Sequence, residues 1–134
     1  MSRFVVAFAA FAMIASYVTP SYALKPLAEA FAEQYCGTGA SEALKAKVAD
    51  AKCNVCHVGT QKKNRNPYGV ALHDALKDAK FSIPDLKKSP KDAKLIAAAK
   101  EVMKKLEDKK PKGAGADAKT FGQRIKAGEL PGAE

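Results

Sequence analysis

The chain has 134 residues, with 23 Lys and Arg against 14 Asp and Glu, a formal net charge of +9 and no tryptophan. That length supports one domain with one modest core, and nothing in it repeats. The single Cys-x-x-Cys pair has no second Cys or His pair to complete a zinc site, and no hydrolase or phosphoryl-transfer constellation is present, so no enzyme is expected.

Residues 1–23 read as a secretory signal peptide. Arg3 supplies the positive start, Phe4 to Val18 is a nearly unbroken apolar run, and Ser21-Tyr22-Ala23 places small residues where signal peptidase cuts, before Leu24. The run is short for a membrane span, which takes about 20 apolar residues. The exported chain is then residues 24–134, with no further membrane span and a net charge of about +8 once Arg3 is lost. Its lysines, among them Lys62, Lys63, Lys87, Lys88, Lys104 and Lys105, are spread along the chain. They read as a solvated basic surface or, functionally, as a docking face for an acidic redox partner or subunit, where charge mainly raises the encounter rate. Nucleic acid does not suit an exported chain with the motif described below.

In chain order the pattern is helical throughout. Pro26 fits a first turn, and Leu27, Phe31 and Tyr35 recur at i, i+4 and i+8, giving a helix over about 26–35 closed by Gly37 and Gly39. Ser41 caps a second helix, whose stripe of Leu44, Val48, Ala51 and Val55 runs on into Cys53–His57, with the cysteines on its last turns. A basic loop, Gly59 to Arg65, leads to Asn66-Pro67, cap and first turn of a third helix to about residue 79, with Tyr68, Leu72, Ala75, Leu76 and Ala79 as its apolar face. Phe81 to Leu86, with Pro84, reads as a connecting loop. Ser89-Pro90 opens a fourth helix to about 108, striped by Leu95, Ile96, Ala99, Val102, Met103 and Leu106. Lys109 to Lys119 reads as a flexible loop, and Thr120 caps a last turn with Phe121 and Ile125 four apart. No strand is expected.

Cys53-Asn54-Val55-Cys56-His57 carries the chemistry. Two thiols three positions apart on one turn can each add to a vinyl group of the same porphyrin, and the adjacent histidine then stands under the iron as proximal ligand. The expectation is one covalent haem c, with an all-α fold of four or five short helices around it. The remaining hydrophobes are thin for a core, so folding is expected to couple to haem attachment. For the sixth position the mature chain offers Cys36, Met103, His73 or no protein ligand. His73 falls on the polar flank of the third helix, Met103 on the apolar stripe of the fourth. Cys36 is an unpaired thiol in an exported protein and needs a role: axial thiolate, intermolecular disulfide or inert buried thiol.

Cys53–His57, the basic loop, Asn66-Pro67-Tyr68-Gly69, and Thr120-Phe121-Gly122 with Ile125-Lys126-Ala127-Gly128 together resemble small monohaem cytochromes c of planctomycetes. Within that group the chain is similar to the heterodimeric cytochromes of anammox bacteria, whose two related subunits each carry a His/Cys-ligated haem. The resemblance covers most of residues 24–134 and implies a fold like that of class I cytochromes c. It implies thioethers from Cys53 and Cys56, proximal His57, distal Cys36, and a Pro67 carbonyl accepting a hydrogen bond from the proximal imidazole. It further implies a related small cytochrome subunit as partner, a capacity to bind diatomic gases once the distal ligand leaves, and a location in the periplasm or the anammoxosome lumen. One haem in a small basic domain with no catalytic acid/base cluster suits electron transfer, the alternative being a haem sensor or scavenger that binds NO or CO through a displaceable distal ligand.

Overall fold

The computed structural model describes residues 24–60 and 63–133. The signal-peptide reading of residues 1–23 lies outside them. Among the described residues the fold is mostly helical, with one very small sheet, and no helix is long and apolar enough to cross a membrane.

Helix α1 spans Lys25–Tyr35, with Pro26 in its first turn, and buries Ala30 and Phe31. Helix α2 spans Glu42–Ala51. The Ser41 hydroxyl accepts from Leu44 N at 3.1 Å to cap it, and Leu44 and Val48 face the core. The expected run of α2 into the cysteines is corrected here. Lys52 takes φ +50°, a conformation uncommon outside glycine, and the chain tightens into a 3₁₀ turn over Lys52–Val55. In a 3₁₀ turn the side chains at i and i+3 eclipse, so Cys53 and Cys56 project the same way although neither lies on the α-helix.

His57–Val58 (β1) pairs antiparallel with Asn64–Arg65 (β2), His57 opposite Arg65 and Val58 opposite Asn64. Two residues per strand are too few to leave an alternating pattern, which is why no strand is legible in the sequence. Helix α3, Pro67–Asp78, begins at the Asn66 cap as expected and buries Tyr68, Gly69, Leu72 and Leu76, whereas Ala79 is exposed beyond its end.

The expected loop at 81–86 is instead a helix, α4, Ile83–Lys88. Ser82 accepts from Asp85 N at 3.3 Å, Pro84 sits in the first turn, Asp85 and the pair Lys87 and Lys88 suit the two ends of the dipole, and Leu86 is buried. Helix α5 is Ala93–Lys105. Its cap is Asp92, accepting from Lys94 N and Leu95 N at 2.9 and 3.1 Å, so the helix opens later than Ser89-Pro90. Helix α6, Phe121–Lys126, carries a capping box in which the Thr120 hydroxyl accepts from Gln123 N and the Gln123 side chain accepts from Thr120 N.

α5 lies against α1 and α3. The core between them is strung on three aromatic rings: Phe31 meets Tyr68 at 5.6 Å and Tyr68 meets Phe121 at 5.2 Å, both edge-on. Met103 is 1 % exposed in this cluster, beside Val102 and Leu106. Its place is that of a core filler, so Met103→Leu is expected to lower the unfolding free energy by less than about 1.5 kcal/mol in a urea titration.

Candidate haem-attachment site

The turn carrying the motif is held by the segment that follows the loop. Asn66 N donates to Cys56 O at 3.0 Å, and the Asn66 side-chain amide donates to Val55 O at 2.9 Å and Asn54 O at 3.2 Å. The same side chain accepts from Gly69 N at 2.9 Å. Asn66 therefore caps α3 and ties it to the cysteine turn. Gly69 completes the fit: a Cβ there would lie 1.9 Å from Cys56 O, so only glycine lets α3 approach the motif this closely. The cap is legible in the sequence, but the two amide bonds back to the turn are not, because they depend on the tertiary approach.

Cys53, Cys56 and His57 line a single cavity of about 620 Å³, within the range of small-molecule and cofactor sites. The α1 start contributes Leu24, Leu27 and Ala28 to the wall, α3 contributes Leu72 and Leu76, and the unexpected α4 contributes Ile83 and Pro84. Four cations, Lys52, Lys63, Arg65 and Lys87, also line it, with no acidic residue among them, and none of the four is in an ion pair among the described residues. An apolar cleft edged by unpaired cations matches a flat apolar macrocycle that ends in two carboxylates. The residues present therefore fit a haem: the thiols to hold it, His57 to ligate it and the cations to meet its propionates.

All three cysteines are free. Burial pushes the Cys56 thiol up to about 12, with Cys53 adding to the rise and Arg65 opposing it, so this thiol stays protonated at neutral pH. His57 Nδ1 stands 3.1 Å from Asn64 O. A carbonyl can only accept, so Nδ1 carries the proton and Nε2 is the nitrogen left for a metal. The acceptor in this structure is Asn64 O, where the resemblance implies the Pro67 carbonyl; Pro67 occupies the first turn of α3.

The three sixth-ligand candidates separate clearly. Cys36 caps the C-terminal end of α1 and packs against the core, outside the cavity lining. It lies eight residues beyond Ala28, about 12 Å of helix rise from that lining residue. Burial pushes its thiol up against the opposing pull of Lys45. Met103 is in the core, also outside the lining. His73 is the one that lines the cavity, on the α3 face shared with Gly69, Leu72 and Leu76, and so is not confined to the polar flank expected for it. Its side chain is 49 % exposed, with Nδ1 3.3 Å from Asp74 Oδ1. Among the described residues no cluster of three or more His, Cys, Asp or Glu forms a separate metal site.

No family model matches the chain, and neither a curated protein nor a solved structure matches it.

Proposed function

We propose that the protein is an exported monohaem c-type cytochrome of the planctomycete group, working in electron transfer. The observation that carries this reading is the convergence of Cys53, Cys56 and His57 on one largely apolar cavity edged by Lys52, Lys63, Arg65 and Lys87. Bound there, a haem c supplies one-electron redox chemistry. The protein's own part is to anchor it through two thioethers, present the His57 Nε2 with Nδ1–H held by Asn64 O, and exclude water with the apolar walls of α1, α3 and α4. Lys63, Arg65 and Lys87 at the same cavity give an acidic redox partner a surface to meet. The resemblance adds a related small cytochrome as second subunit and His57/Cys36 as the axial pair.

A second reading, a haem protein that binds NO or CO, is favoured by the positions of Cys36 and Met103 outside the cavity lining. Low-temperature EPR of the ferric holoprotein, with Cys36→Ala and His73→Ala beside it, decides between the donors. A narrow low-spin thiolate signal lost only in Cys36→Ala assigns His/Cys ligation. A low-spin signal that survives Cys36→Ala and is lost in His73→Ala assigns a His/His pair. Carbon monoxide added to the ferrous protein then separates the functions: a closed carrier refuses it, and a labile site takes it up.

A further inference from the structure

The acceptor for the His57 ring is a backbone carbonyl, so its position is set by the strand that carries it rather than by a side chain. That strand has only two residues and pairs with an equally short one. On its far side it is fixed by Asn66, which is 5 % exposed and uses both ends of its side chain: the oxygen accepts from Gly69 N, and the nitrogen donates to Val55 O and Asn54 O. Donors and acceptors allow only this orientation of the amide. The C-terminal turn closes over it, since a Cβ at Gly132 would come within 2.3 Å of the Asn66 amide carbon. One side chain thus joins the cysteine turn, the strand bearing Asn64 and the start of α3.

We propose that Asn66 is the positioning residue for the proximal histidine: by locking β2 onto the cysteine turn it holds the His57 Nδ1–H···O=C bond to Asn64, and so sets the donor strength of the imidazole toward iron. The inference rests on the haem reading above. A well-made bond from Nδ1–H raises the basicity of the ring and favours the ferric state, and a loosened one raises the reduction potential.

Asn66→Ser separates this role from helix capping. Serine still offers an oxygen to Gly69 N, as Ser41 and Ser82 do at α2 and α4, but it has no amide to donate to Val55 O and Asn54 O. In the haem-loaded protein the expected result is a reduction potential more positive than wild type and faster solvent exchange of the His57 Nδ1 proton in the NMR spectrum of the ferrous form. Thr120→Ala, which removes a cap on α6 outside the cavity, serves as the stability control and is expected to move neither readout. An Asn66→Ser protein with lowered thermal stability but unchanged potential and proton exchange overturns the proposal and leaves Asn66 a structural cap. Where that variant yields no soluble holoprotein, wild-type exchange decides. Asn66 amide protons protected together with the His57 proton support the brace, and a freely exchanging Asn66 amide overturns it. A wild-type chain that takes up no haem overturns the haem reading itself, a result distinct from a haem-loaded variant that behaves as wild type.

Discussion

Gly69→Ala is expected to destabilise the protein by more than about 3 kcal/mol and to sharply lower the yield of haem-loaded chain. The new methyl carbon would stand 1.9 Å from Cys56 O and 2.8 Å from Cys56 C. Both are backbone atoms, so no rotamer change relieves the clash, and α3 must move off the cysteine turn. Two effects oppose each other at this position. Alanine is the better helix former by about 1 kcal/mol, but overlap with a carbonyl in a packed contact exceeds that gain. Movement of α3 also breaks the Asn66 bonds to Val55 O and Asn54 O, so the loss is greater than a local one. Chemical denaturation of the two proteins side by side measures it, and an alanine variant as stable as wild type would show that α3 does not pack on the motif as described.

Cys53→Ala combined with Cys56→Ala is expected to abolish covalent haem and to remove more than about 3 kcal/mol of stability, because the haem would cover apolar walls from α1, α3 and α4 at once. In a domain of this size that corresponds to a fall of more than about 10 °C in the midpoint of thermal unfolding. The core outside the cavity is a cluster strung on Phe31, Tyr68 and Phe121 with leucine, valine, isoleucine and methionine side chains around it. A double variant with the wild-type midpoint would mean that this aromatic cluster alone holds the fold and that the cavity contributes little.

How much of this was legible in the sequence depends on how local each signal was. The α1 stripe, the Ser41, Asn66 and Thr120 caps and the α5 core positions Ala99, Val102 and Met103 all stand where periodicity and capping chemistry place them. Helix α4 was also written locally, in Ser82, Pro84 and Asp85, but Pro84 reads equally well as a loop marker until its first-turn position is recognised. The start of α5 slipped from Ser89 to Asp92 for a related reason: two good caps stand three residues apart, and only one can be used. The motif itself names the thiols and the histidine, whereas their common cavity depends on contacts between distant segments. The break at Lys52, the Asn64 acceptor and the Asn66 brace carry no periodic signature, being consequences of how α3 meets the turn. His73 shows the limit from the other direction: the helical wheel places it on a polar flank, and the cavity it shares with Ile83, Pro84 and Lys87 of α4 makes that flank part of a wall.

The most direct measurement is the intact mass, with a pyridine haemochrome spectrum, of the full chain produced in cells that attach haem to c-type cytochromes. The expected result is the mass of residues 24–134 plus one haem, with the haemochrome band of a haem joined through two thioethers and a single titratable thiol, Cys36. An unmodified mass with three titratable thiols under the same conditions would contradict the account at its root.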